Sequence, residues 1–231
     1  AFASETVRLS SLCNNWAHWD DAYRYVKGEN PSFIESNVSN VIFEGDHFNL
    51  TCLALKEGKI LSADSFDLEA REVFKFKDLS GERIQGDFLK MLRLPSPESK
   101  LSEILLTERG PFIAISNPIL TTHGEGPVYG VIMMGRLVDR SLVDDLSKKI
   151  GCDIELETQY KDGNAPSPGV ELVPHGRETF GLAKLSAEYL KASWTCKDIN
   201  GMPAFTISIK FRRDITIQGL ATIWQAMLIL A

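Results

Sequence analysis

The chain has 231 residues, 44% hydrophobic and 24% charged, a balance that suits one large or two small globular domains and excludes a disordered chain. Its formal net charge is −6, from 31 acidic and 25 basic residues, and no Lys/Arg run tracks a phosphate backbone, which argues against nucleic acid as a partner. Internal repeats and low-complexity tracts are absent, so a single specific fold is expected.

The first residue is not Met, which fits the removal of an N-terminal segment. From Thr6 to Val26 apolar residues fall at Val7, Leu9, Leu12, Cys13, Trp16, Trp19, Tyr23 and Val26. That three-and-four spacing predicts one long helix with a buried face, stopped by Gly28, Asn30 and Pro31. A second short helix is expected from Pro31 to Glu44. LTCLALKEGKILSADS reads as two strands turning at Glu57 and Gly58. A mixed segment runs to Leu94, and the Ser/Pro boundary after it predicts a helix from Pro95 to Leu106.

FIAISNPIL and VYGVIMMGRLV are apolar, β-branched runs joined by TTHGEGP, the pattern of a hairpin. A helix from Arg140 to Ile150 leads through Gly151 to the strand candidate CDIELETQ, and KDGNAPSPG reads as a surface loop or a boundary. LAKLSAEYLKASWTC and PAFTISIKF alternate like strands around the turn DINGMP. Helices alternating with antiparallel hairpins make an α+β fold.

The last 17 residues, ITIQGLATIWQAMLILA, carry no charge. One reading is an amphipathic terminal helix, with Gln218, Thr222 and Gln225 as its polar stripe. The other is the start of a transmembrane helix over 215–231, anchored by Arg212, Arg213 and Trp224. The boundaries that follow are 1–214 for the folded domain and 215–231 for the start of the membrane segment.

Catalytic and cofactor signatures are missing. GEGPVYG has the wrong spacing for a dinucleotide loop and precedes a strand. No nucleophile elbow, Walker sequence or HExxH occurs. His18, His47, His123 and His175 show no metal-ligand spacing, so neither a metal nor a cofactor is expected. Cys13, Cys52, Cys152 and Cys196 contain no CxxC. Outside a cell they can pair in three ways, but their predicted placement in helix and strand favours free, buried thiols. Asn37-Val38-Ser39 and Asn49-Leu50-Thr51 are glycosylation sequons that arise readily by chance.

The densest feature is NNWAHWDDAYRYV. On a helix Trp16, Trp19 and Tyr23 share one face, and Asp20 stands four before Arg24, within ion-pair reach. Read plainly, the aromatics pack the helix on a sheet while Asp20, Asp21 and Arg24 solubilise it. Read as a site, aromatic walls with a carboxylate between them suit a cationic or amine-bearing small molecule.

W-x-x-W-D-D-x-Y, the strand pair around K-E-G-K-I, S-N-P-I before G-E-G-P, and M-G-R-L-V-D occur in an order that resembles the CHASE-type extracellular sensory domains, fourth class, from about Leu9 to Leu156. The resemblance implies a PAS-like, Cache-type antiparallel sheet behind a long N-terminal helix. It also implies a membrane-anchored receptor with an extracytoplasmic (periplasmic or extracellular) sensor and a histidine kinase or cyclic-dinucleotide enzyme as output, with the sensor itself not an enzyme. Trp16, Trp19, Asp20, Asp21 and Tyr23 match the family's helix signature, and Asn117 and Arg136 match its later strands. The segment from Tyr160 to Ala192 is longer than a connection needs, which leaves room for an extra layer or an inserted hairpin.

These residues define an expected ligand site. An unknown small molecule meets Arg136 through a carboxylate, Asp20 through an amine, and Trp16 and Trp19 through its apolar part. Arg136 has a second reading, a structural ion pair with Asp20, Asp21 or Asp139. The expected partners are this ligand, the membrane through the C-terminal helix, and a second copy in a homodimer. The alternative is a receptor dimerisation or protein-binding module without a ligand. A hydrolase is disfavoured, because adjacent Asp20 and Asp21 on a helix point in different directions.

Overall fold

The computed structural model describes residues 2–158, 171–175, 178–185 and 189–212, together with 223, 225, 227 and 228. The chain divides into two compact units, Thr6–Leu137 and Ala1–Glu5 with Val138–Ala231.

The first unit opens with four helices, α1 (Phe2–Ala17, whose first residues belong to the other unit), α2 (Asp20–Val26), α3 (Phe33–Asn37) and α4 (Asn40–Asp46). The long helix expected over Thr6 to Val26 is therefore broken at His18 and Trp19, and the one expected over Pro31 to Glu44 is two. The first break has a visible cause. The C-terminal carbonyl of Ala17 accepts from the Leu120 N–H at 2.9 Å, so the segment just after β5 takes a bond that the next helical turn would have used.

Six strands follow: β1 (Leu50–Leu55), β2 (Ile60–Asp67), β3 (Glu72–Phe74), β4 (Leu101–Thr107), β5 (Gly110–Pro118) and β6 (Gly130–Leu137). They form one antiparallel sheet in the order β3-β2-β1-β6-β5-β4. Both predicted hairpins are present. The helix predicted over Pro95 to Leu106 is instead a turn followed by β4. Ser96 and Ser99 close the turn, with the Ser96 N–H donating to Ser99 Oγ at 3.0 Å, and Leu101 to Thr107 pairs residue by residue with Ser116 to Gly110 of β5. The Ser/Pro signal thus starts a turn, and ladder hydrogen bonds override the helical preference of Leu and Glu.

The pleat assigns the faces. Cys52, Met133 and Ser116 are register partners and share one side, while Leu53, Ile132 and Asn117 share the other. On the first side Phe112 meets Phe76 at 5.1 Å and Phe88 at 5.9 Å, and the Ser116 hydroxyl donates to the Met91 carbonyl at 2.7 Å. Residues 77–92, in two 3-10 turns, close this aromatic core. Gly135 belongs to it, because a Cβ there would overlap the Ile113 carbonyl and the Phe112 ring. On the opposite side lies α1, whose buried Cys13 thiol donates to the Ile132 carbonyl at 3.8 Å.

The second unit contains α5 (Arg140–Ile150), as predicted, and a second antiparallel sheet. The Asp139 side chain caps α5 by accepting from the Leu142 N–H at 2.9 Å. The strands are β7 (Ile154–Thr158), β8 (Glu171–His175), β9 (Glu178–Lys184), β10 (Tyr189–Lys197) and β11 (Pro203–Arg212), in the order β7-β11-β10-β9-β8. The β8–β9 pair is the extra hairpin for which the long segment left room. The run expected as one strand from Leu182 to Cys196 is divided between β9 and β10. Trp194 and Phe205 pack edge to face at 5.8 Å, with Phe2 against both. On the other face Lys191 reaches over to Glu157 at 2.8 Å and Glu155 at 3.4 Å.

Each unit has its own antiparallel sheet, and with the N-terminal helix these elements make the expected α+β, PAS-like fold class. Among the described residues no helix is long and apolar enough to cross a membrane. The membrane segment expected over 215–231 lies, apart from Ile223, Gln225, Met227 and Leu228, outside the described residues, as does the loop KDGNAPSPG.

Candidate functional site

The seven signature residues occupy three settings within the first unit. Trp16, near the end of α1, is buried, and its ring stands edge-on to Trp19 at 6.0 Å and to Phe33 at 6.3 Å. Trp19 sits in the break with extended backbone, packs on Phe33 at 5.7 Å, and keeps 38% of its surface exposed. The wall of two indoles expected on one helix face is therefore a three-ring cluster with one solvent-facing side.

Asp20 opens α2, and its Oδ1 accepts from the Thr122 N–H at 2.8 Å. That bond, more than the nearby His123 and Arg24 charges, holds its carboxyl below the usual value. The predicted ion pair with Arg24 belongs instead to Asp21, at 2.6 Å, which also accepts from Asn30 at 3.4 Å. With the helix starting at Asp20, the residue three before Arg24 becomes the near neighbour.

Tyr23 faces the β5–β6 loop. Its hydroxyl donates to the Pro127 carbonyl at 3.3 Å, and its ring lies 5.7 Å from Tyr129. Gly126, at φ +97°, allows this approach, because a Cβ there would stand 2.5 Å from the Tyr23 hydroxyl. The loop closes on itself through Thr121, whose hydroxyl donates to the Glu125 carbonyl at 3.1 Å. WDDxY and GEGP, distant in sequence, are thus one fastening: Ala17, Asp20 and Tyr23 hold Leu120, Thr122 and Pro127.

Asn117 and Arg136 are buried in the sheet on the α1 side, at 0% and 2% exposure. With its amide turned to the orientation that satisfies both of its groups, Asn117 donates to the Ser116 carbonyl at 2.8 Å and accepts from the Asn14 N–H at 3.3 Å, which braces α1 on β5. Arg136 pairs in register with Ile113, four residues along β5 from Asn117, or about 13 Å at strand rise. Asp20 lies beyond the Asn117 end, so the structure groups Trp16, Trp19, Asp20, Asp21 and Tyr23 and sets Arg136 apart from them.

Sequence reasoning did not find Thr122, Pro127, Phe33 or Asn14. The G-E-G-P turn was the available signal for the first two, since a loop with that much glycine can receive a tyrosine. Among the described residues no group of three or more His, Cys, Asp and Glu side chains is placed to hold a metal ion. Cys13, Cys52 and Cys196 are buried and in no disulfide, as expected, whereas Cys152 is exposed, because β7 starts only at Ile154.

The model of the CHASE4 domain matches residues 1–157. The methanogenesis regulatory histidine kinase FilI of Methanothrix harundinacea is 24% identical over 218 residues, which are 93% of this chain and 24% of that protein. The chain thus spans about a quarter of the length of this curated relative. Among solved structures, the extracellular domain of a protein described as a histidine kinase superposes with a TM-score of 0.57 at 12% identity, covering 92% of this chain and 86% of that one. A domain of a sensory box/GGDEF family protein from Vibrio parahaemolyticus gives 0.59 at 14%, covering 92% and 91%.

Proposed function

The chain belongs to the CHASE4 domain family and is a sensor domain, and from that premise we propose that it is the extracytoplasmic, ligand-binding part of a membrane-anchored signalling receptor. The output is a histidine kinase or a cyclic-dinucleotide enzyme. The receptor works as a homodimer, with residues 215–231 leading into the membrane.

The observation that carries this reading is the fastening of the α1–α2 junction to the β5–β6 loop through Asp20 and Thr122. Trp19 and Asp20 present an aromatic face and a carboxylate at the surface, with Asp21 and Tyr23 beside them, a combination that attracts a cationic or amine-bearing molecule. Trp16 and Asn117 brace this rim from beneath, and Arg136 lies farther along the sheet. A cation that draws the Asp20 carboxylate competes with the Thr122 N–H and frees the loop. Such a ligand shifts the equilibrium only by its differential affinity for the fastened and released states.

A thermal-shift screen of the chain against amines, amino acids and quaternary ammonium compounds tests the reading. A ligand at a hundredfold over its Kd adds about 2.7 kcal/mol of stability. Its effect disappears in Trp19→Ala and Asp20→Ala while both variants remain folded. A screen without any saturable shift, together with concentration-dependent self-association, would favour the dimerisation module instead.

A further inference from the structure

A different part of the first unit carries a second, polar cleft. The solvent side of α1 and Lys100 enclose an open cleft of about 330 Å³, within the range of small-molecule pockets. Its wall is polar and uncharged: Thr6, Ser10, Ser11, Asn14 and Asn15, with Val7 as the apolar exception. Among the described residues no acidic side chain lines it.

Lys100 supplies the charge. Its ammonium donates to Asn14 Oδ1 at 2.6 Å, and among the described residues it makes no ion pair. Asn14 is itself braced, since its backbone N–H reaches the buried amide of Asn117. The cation is thus positioned by a neutral group at the mouth of an acid-free cleft, which leaves its remaining two N–H donors for a solute. The Ser11 hydroxyl donates to the Val7 carbonyl at 3.0 Å, so its oxygen remains able to accept. From Thr6 to Asn14 the helical wall is about 12 Å long, more than a carboxylate alone occupies.

We propose that this cleft binds a small hydroxylated organic carboxylate, with the carboxylate on Lys100 and the hydroxyls along Ser10, Ser11 and Thr6. A charge-assisted bond to the ammonium gives affinity, and the hydroxyl wall gives selectivity over simple anions. An amine-bearing ligand is disfavoured here, because the lining offers no carboxylate to receive it. The site differs from the rim at Trp19 and Asp20 in both place and sign of charge. It is linked to the sheet through Asn14 and Asn117.

Gluconate is the probe, with sorbitol as its uncharged counterpart and sodium chloride holding ionic strength constant. Gluconate raises the midpoint of the whole chain saturably and sorbitol does not. Lys100→Met weakens the effect about tenfold or more, the cost of a lost charged hydrogen bond, whereas Lys100→Arg keeps it within a few fold. Lys100 is exposed, so both variants fold. A gluconate shift no larger than that of sorbitol, or one equal in wild type and Lys100→Met, overturns the proposal. So does a dimer that Val7→Glu dissociates while gluconate has no effect, since a second copy then occupies the face. Stabilisation by amines alone leaves the Trp19–Asp20 rim standing and removes only this cleft.

Discussion

The Asp20 carboxylate accepts the Thr122 N–H at 2.8 Å across 102 residues of sequence. The bond joins the start of α2 to the loop after β5, and it is made by the charged form of the acid. Because that form is favoured in the folded state, its contribution is present above the unfolded value of 3.8 and is lost as pH falls through the lower folded value. Asp20→Ala is therefore expected to lower the thermal midpoint at neutral pH, with the gap to wild type closing as scans are taken into acid. A gap that stays constant in acid would assign the loss to packing rather than to this bond.

Gly126→Ala meets the Tyr23 hydroxyl at 2.5 Å and places a side chain at φ +97°. The expected cost is about 1–3 kcal/mol. Adding Tyr23→Ala removes the overlap but not the backbone strain, so urea titrations of the single and double variants should be non-additive, with partial recovery. Additive losses would place the tyrosine elsewhere.

Trp16 and Trp19 separate packing from binding. Trp16 is 7% exposed and touches Phe33 and Trp19, so Trp16→Ala should cost about 3–5 kcal/mol. Trp19→Ala, at a residue 38% exposed, should cost distinctly less. Equal losses in denaturant titration would contradict the burial difference.

Asp78 has its pKa raised, first by burial and then by the Glu108 charge. Its folded state holds the proton more tightly than the unfolded chain does. Stability from this group is therefore present in acid and lost as pH rises from 3.8 through the folded value. Asp78→Asn should raise the midpoint at neutral pH and give no advantage at low pH. Equal midpoints at neutral pH would count against the burial cost.

Burial pushes the thiols of Cys13 and Cys52 up to about 12, so neither forms a thiolate in the native protein near neutral pH. In a titration with a thiol-specific reagent, Cys152 should react on mixing and the buried cysteines only after unfolding. A fast second equivalent would show that α1 or β1 opens readily.

Local patterns determined much of the fold. The β1–β2 and β5–β6 hairpins follow from β-branched runs around glycine turns, and α5 from its Asp139 cap and its stripe of Leu142, Val143 and Leu146. The candidate site was legible only as a set of residue types. Trp16, Trp19 and Tyr23 have helical spacing, and nothing local reveals that the Leu120 N–H will take the Ala17 carbonyl on which a continuous helix would depend, or that the Thr122 N–H will meet the Asp20 carboxylate.

The amino-acid order by itself determined the α+β class, the hairpins, the family signature and the residues that cluster near α2, because periodicity and turn chemistry act over a few neighbouring positions. Tertiary structure alone decided where α1 ends, that Leu101 to Thr107 is a strand, that Asp21 rather than Asp20 meets Arg24, and that Arg136 stands apart from the aromatic cluster. Each of these depends on a partner far along the chain or on a break that such a partner causes, and the free energy of that pairing exceeds the small local preferences that sequence patterns express.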